Sequence, residues 1–291
     1  MTLGRRRLPE YAAFAGMSLL WGSTFLAIRV GNDALPSLWA ATIRLVLAAP
    51  LLFLVARALR VPLPRGRALR GAALFGFLNL GVNFALLYWG EERVPSGIAA
   101  VLYATTPLTT GALAWLVGLE RPRAVTVFAA LLGLLGVCLI FTGEIRAGAP
   151  GMSLLAVFLA ATAASASSVV LKRVPQRSPF VTNAVGALAG LPVCLLGSFL
   201  LGESHVVPSG VRAWAPVIYL VLAGNLGAFV LYAWLVSRWE VTKVSNVALV
   251  VPVIAVLLGS LVRGEAPTLG TYVGGCIVLA GVTLALRSKH P

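Results

Sequence analysis

Residues 84 to 137, FALLYWGEERVPSGIAAVLYATTPLTTGALAWLVGLERPRAVTVFAALLGLLGV, and residues 229 to 282, FVLYAWLVSRWEVTKVSNVALVVPVIAVLLGSLVRGEAPTLGTYVGGCIVLAGV, align without a gap at a spacing of 145. They agree at 14 of 54 positions. Matched Leu or Val is cheap in so apolar a chain. The costlier matches are Phe84 with Phe229, Trp89 with Trp234, Arg93 with Arg238, Pro107 with Pro252, Glu120 with Glu265, Pro122 with Pro267, Thr126 with Thr271 and Gly136 with Gly281. They fall at equivalent places, in span centres, at span ends and in short turns, which marks an internal repeat rather than shared composition. The chain is therefore read as two halves, 1–145 and 146–291.

Working outward from the repeat, ten apolar stretches fill most of the chain, near 11–30, 37–56, 69–90, 95–118, 124–143, 152–171, 180–200, 213–236, 242–263 and 267–286. Each is close to the roughly 20 residues that carry a helix across a hydrocarbon core. With 59% hydrophobic and 11% charged residues, a mean hydropathy of +0.94 and only short loops, the chain cannot cover a water-soluble globule. The expectation is an all-α integral membrane protein. The first stretch follows Arg5, Arg6 and Arg7 but shows no strong cleavage site, so it is read as a retained helix. The net charge of +14 does not indicate nucleic acid, because the basic residues are scattered over loops and helix ends and not gathered on one soluble face.

Those charges do report orientation. With the N-terminus inside, 17 Lys and Arg fall on inner segments and 5 on outer ones, which places both termini in the cytoplasm. Five spans per half is an odd number, so the second half enters the membrane from the opposite side and the repeat is inverted. Two inverted five-helix halves around a central cavity form the recurrent architecture of secondary transporters. A membrane channel or a membrane-embedded enzyme is the alternative from another class.

Polar groups at membrane depth are costly unless they meet a partner or line a cavity. Asn79 and Asn83 in span 3 are four apart and share a face; Asn225, Phe229 and Tyr232 form a face at the same depth in span 8. Span 4 adds Tyr103 with Thr106, span 9 adds Asn246, span 1 adds Trp21, Ser23 and Thr24, and span 6 adds Ser165, Ser167 and Ser168. The expected substrate site lies between the halves, faced by Asn79, Asn83, Tyr103, Asn225, Tyr232 and Asn246, with Trp21 as an aromatic wall. Helix-to-helix hydrogen bonding is the competing reading of the same groups. Pro107 and Pro252 sit near the middle of spans 4 and 9, where each frees a carbonyl, of Tyr103 or Ala248, and makes a hinge or a fixed bend. Arg44 stands about 10 Å from the outer end of span 2, within snorkelling reach of the interface, so a structural role is expected and an anion contact is the second reading.

No Asp, Glu or His falls in the middle of a span. This argues against an enzyme, an intramembrane metal site built on such groups and coupling through a buried carboxylate, while a Na⁺ site made of carbonyls and hydroxyls stays open; no cofactor is expected. Cys138, Cys194 and Cys276 lie inside spans and are read as buried packing thiols. Gly186 with Gly190 and Gly270 with Gly274 are read as internal packing before a dimer face, leaving monomer or homodimer open. Thr271, in a span assigned to the periphery, is expected to tolerate replacement.

Trp21-Gly22-Ser23-Thr24-Phe25, a proline in the middle of spans 4 and 9, an acidic residue in the turn after each, and ten spans in under 300 residues resemble the EamA-type branch of the drug/metabolite transporter superfamily. Gly264-Glu265 fits the family habit more cleanly than Leu119-Glu120, and span 6 lacks the Trp-Gly pair of span 1. The resemblance implies an exporter of small metabolites, most like bacterial inner-membrane exporters of amino acids, including aromatic ones, with a cavity lined by spans 1, 3, 4, 6, 8 and 9. Drug and nucleotide-sugar carriers of the same superfamily are the nearest alternatives.

Overall fold

The computed structural model describes residues 8–119, 124–174, 178–236, 238, 244 and 247–287, and among these all regular structure is helical. The ten spans appear in order as α1 Leu8–Asn32, α2 Ser37–Ala58, α3 Arg67–Gly90, α4 Ser96–Leu116, α5 Ala124–Arg146, α6 Gly151–Lys172, α7 Pro179–Leu200, α8 211–236, α9 Val247–Arg263 and α10 Leu269–Arg287. The first eight are long and apolar enough to cross a membrane; α9 and α10 are shorter apolar helices. Large apolar side chains such as Leu131, Leu135, Leu257 and Leu261 stay exposed on the outside of the bundle. So much outward apolar surface suits lipid and not water. Pro36, Pro95 and Pro150 hold extended backbone as the N-caps of α2, α4 and α6, where a missing N–H costs no helical bond.

Three helices depart from α geometry where the cavity lies. Phe77–Val82 in α3 and Leu220–Gly227 in α8 are π-helical; shifting the first by 145 residues gives 222–227, inside the second. Helix α4 breaks between Ser96–Tyr103 and Thr106–Leu116. Pro107 opens the second piece, and the carbonyl of Tyr103 accepts the Thr106 hydroxyl at 2.5 Å in place of the lost backbone donor. Helix α9 continues through Pro252 without a break, so the two mid-span prolines have different local outcomes.

Helix α2 packs on α7, α4 on α9 and α5 on α10, while α1 meets α8 and α9, α6 meets α3 and α4, and α2 and α7 flank α8 and α3 respectively. Exchanging each helix for the one five places along the chain leaves this set of pairs unchanged. Gly186 and Gly190 meet Gly76, Leu80 and Gly81 of α3, and Gly270 and Gly274 meet Gly143 and Gly136 of α5. These small-residue faces are thus filled by helices of the same chain.

Two expectations fail here. Helix α10 lies away from the cavity, yet Thr271 is buried against α5 and its hydroxyl hydrogen-bonds the Glu144 carboxylate, which also accepts from the Thr268 N–H at 3.2 Å and hydroxyl at 2.8 Å. A helix remote from the cavity still has one interior face, and Thr271 lies on it, so its replacement is expected to cost stability. Of the three thiols only Cys194 is buried; Cys138 and Cys276 are exposed, because apolar spans leave one face toward lipid.

Candidate functional site

A cavity of about 780 Å³ lies at the centre of the bundle. Of the side chains expected to face it, Trp21, Asn79, Asn83, Tyr103, Asn225 and Tyr232 do so, and Pro252 joins them. Asn246 lies outside the described residues. Pro107 does not reach the lining, since the break in α4 turns Ala104 and Thr106 to it instead. Helices α1, α3, α4, α6, α8 and α9 all contribute, and so do α2, through Arg44, and α7, through Pro179, Thr182 and Asn183.

The polar lining is organised in two groups. In the first, Asn83 donates to Asn79 Oδ1 at 3.2 Å and accepts a short hydrogen bond from the Tyr103 hydroxyl, and Phe25 stands edge-on to Tyr103 with ring centres 5.2 Å apart. The π segment carries Asn79 and sets the turn that follows it, so both amides face the α4 break. Trp21 packs on Tyr232 beside this group, ring centres 5.7 Å apart. In the second group, Arg44 is 5% exposed. It donates from Nε to Asn225 Oδ1 at 2.8 Å and from Nη1 to the Tyr88 hydroxyl at 3.1 Å. Its guanidinium carbon lies 4.5 Å from the centre of the Phe84 ring, within cation–π range. The side chain turns inward and does not snorkel, because depth along a helix fixes distance from the interface but not direction around the axis. Ser165, by contrast, is a packing residue: its hydroxyl meets Thr109 at 2.5 Å across the α4–α6 contact.

The cavity lining reaches Leu171 and Pro179, at the ends of α6 and α7. At the opposite end the helices are tied together. Arg29 donates to the carbonyls of Glu91 and Glu92, Arg263 pairs with Asp33, and Asn32 donates to the Tyr88 carbonyl at 2.9 Å. Gly264, with φ of +65°, lets the chain reverse after α9 and aims Glu265 at the start of α4. There its carboxylate accepts from the N–H groups of Ser96 and Gly97, at 3.1 and 3.2 Å, and from the Ser96 hydroxyl at 2.8 Å. A carboxylate on a helix N-terminus is stabilised by the unpaired N–H groups and the helix dipole.

Glu91, in the turn after α3, is fully buried, and neither carboxylate oxygen finds a hydrogen-bond partner among the described residues. Its position at a span end suggests solvation in the sequence; the packed turn denies it. Burial pushes this carboxyl well above the usual range, the charge of Glu265 adds to the push, and Arg29 opposes it. The folded protein therefore keeps a proton that the unfolded chain releases above about pH 4.5. Stability is fully present below that value and declines as pH rises toward the folded pKa. Glu91→Gln is expected to remove this slope and raise the melting temperature at pH 7 to 8. Parallel melting curves of both proteins in detergent from pH 5 to 8 would refute the burial of a protonated Glu91.

A model of the EamA-like transporter family matches residues 8–142 and again 151–287. The chain is 32% identical over 98% of its length to the uncharacterized inner membrane transporter YedA of Escherichia coli strain K12, covering 93% of that protein. It is 29% identical over 92% of its length to the probable terminal-alkyne amino-acid exporter of Streptantibioticus cattleyicolor, covering 90% of it. A solved crystal structure superposes with a TM-score of 0.67 at 22% identity, covering 98% of this chain and 99% of that one, a likeness of fold. With both halves matched and the cavity at their junction, the chain belongs to the EamA-like transporter family and is a multi-pass membrane transporter.

Proposed function

We propose that this transporter exports amino acids or related small metabolites across the bacterial inner membrane by alternating access, its inverted halves 1–145 and 146–291 exchanging conformations around the cavity. The observation that carries the reading is the lining. A volume of about 780 Å³ suits a small solute, for which sites of roughly 300–1,000 Å³ are usual. Neutral amides and phenols stand beside aromatic rings, so a zwitterion can be hydrogen-bonded while its side chain lies on Trp21 and Tyr232. The name of the Streptantibioticus relative points the same way. Trp21, Asn79, Asn83, Tyr103, Asn225, Tyr232 and Asn246 are the proposed substrate contacts, with Pro107 and Pro252 as hinges. Among the described residues no carboxylate lines the cavity, which favours facilitated transport or coupling through another group. The distribution of Lys and Arg favours cytoplasmic termini; reporter fusions after residues 65, 148 and 289 should read inside, outside and inside.

The test is flux of a labelled amino acid panel through proteoliposomes. Saturable exchange supports the carrier, non-saturating flux a channel, and chemical change an enzyme. Arg44 on the lining favours one rival within transport, a nucleotide-sugar carrier, which the same vesicles test by exchange of a labelled nucleotide sugar. Asn83 holds both Asn79 and Tyr103, so Asn83→Ala should weaken apparent affinity about ten-fold, the value of one hydrogen bond to a charged group, with membrane insertion unchanged. Unchanged affinity in well-expressed protein would reassign this group to helix packing.

A further inference from the structure

We propose that Arg44 is the anion-binding point of the cavity, so that the transported solute presents a carboxylate to it. The proposal rests on the carrier reading and narrows it to substrates with a free acid group. Arg44 lines the cavity on α2, is 5% exposed, and has a fixed direction. Asn225 holds Nε, the Tyr88 hydroxyl holds Nη1, and the Phe84 ring covers the guanidinium face. All three partners are uncharged, and among the described residues no carboxylate lies within ion-pair distance of it.

A buried guanidinium stays charged, because its proton is not lost at accessible pH. Desolvating it without an opposite charge is costly, and three neutral partners offset only part of that cost. A merely structural link between α2, α3 and α8 needs no full charge, since an amide or hydroxyl makes the same hydrogen bonds. Nη2 carries none of the hydrogen bonds described, and it lies beside Gly224. There a Cβ would stand 3.0 Å from Nη2 and 3.2 Å from Thr24 Cγ2. The absence of a side chain at Gly224 lets the α8 backbone come close to Nη2, so the room for a ligand lies on the side open to the cavity, which Arg44 and Gly224 both line. A carboxylate arriving from the cavity can take an Nη2–H together with the Nη1–H that Tyr88 does not use, a paired geometry that lysine cannot reproduce.

The geometry also assigns selectivity. Acids should be accepted, whereas their carboxamides and simple amines, which add a second cation or offer no anion, should be refused.

The experiment uses the full-length protein in proteoliposomes with labelled amino acids and the matching amino acid carboxamides, for wild type, Arg44→Gln and Arg44→Lys. Wild type should prefer the acid over its amide by about ten-fold or more. In Arg44→Gln the affinity for the acid should fall by about that factor while the amide is unaffected; Arg44→Lys should fall between them. Melting temperatures report folding of each variant, and should Arg44→Gln not fold, the wild-type preference alone decides. Equal transport of acid and amide by wild type overturns the proposal. So does unchanged affinity for the acid in folded Arg44→Gln; either result leaves the carrier reading intact.

If wild type moves no amino acid, the amino acid reading fails on its own. Thermal stabilisation by mono- and dicarboxylates is then compared with that by their neutral amides. Stabilisation by an acid that is lost in Arg44→Gln upholds the anion point, and stabilisation by no acid overturns it.

Discussion

Gly76→Ala is expected to leave little folded protein in the membrane, although it adds a single methyl group. A Cβ at this position would fall directly on the backbone of Gly186 in α7. Backbone cannot swing aside as a flexible side chain does, so the two helices must separate. Overpacking of an ordinary core costs about 1–3 kcal/mol; a backbone-on-backbone clash belongs at or above that range, against a total stability of about 5–15 kcal/mol. The next residues along α3 are the π segment and the two asparagines, so any protein that does fold should also lose the Asn83–Tyr103 contact. Gly151→Ala is the control, since its nearest neighbour would be a flexible Ile145 methyl at 3.5 Å. Size-exclusion profiles of fluorescent fusions distinguish the two. A sharp peak and wild-type melting temperature for Gly76→Ala would show that α3 and α7 are not in backbone contact.

A second large effect is expected from Glu265→Ala, at the tied end of the bundle. The change removes three hydrogen bonds, made to two carboxylate oxygens, from the start of α4, leaving the N–H groups of Ser96 and Gly97 without the carboxylate they donate to. Charge-assisted hydrogen bonds contribute about 1.5–3 kcal/mol each at most, and they share one carboxylate, so a loss of about 2 kcal/mol is a conservative figure. That is enough to shift an equilibrium between tied and untied states by about 30-fold. Leu87→Cys, at the buried end of the cavity, supplies the readout. A water-soluble maleimide added from the side of the 91–95 turn should label it faster when Glu265 is replaced. Equal labelling rates and equal melting temperatures would mean that the carboxylate caps α4 without holding the end closed.

Helix number and order were legible because a lipid core demands long apolar runs, and nothing else in a chain of this composition produces ten of them. That Asn79, Asn83, Tyr103, Asn225, Tyr232 and Trp21 face a cavity was legible for a related reason, since a polar group at membrane depth needs a partner or a cavity; that they contact a substrate is the proposal above. Asn183 also lies on the lining, but its place in the first turns of α7 carries no signal of depth. The remainder depends on direction and not on depth. Arg44 has the depth of a snorkelling residue and the azimuth of a cavity residue. Glu91 has the sequence position of a solvated turn and the burial of a core residue. Thr271 belongs to a helix outside the cavity but to its interior face. Azimuth follows from which helices pack together, and that pairing is long-range.

The π segments carry a further consequence. Each holds one residue more than an α-helical turn of the same length needs, and so stores slack in the middle of α3 and of α8. Moving that surplus residue one turn along would rotate the side chains between its old and new positions by about 100°, the angle of one residue, while the hydrogen-bond ladder on either side stays intact. Asn79 and Asn225 lie within these stretches. Such a shift would turn Asn79 and Asn225 from their present direction without unfolding a helix in lipid. Faster amide exchange in 77–82 and 220–227 than in the flanking turns is the expected trace of such movement; uniform protection along both helices would mean that the slack is locked.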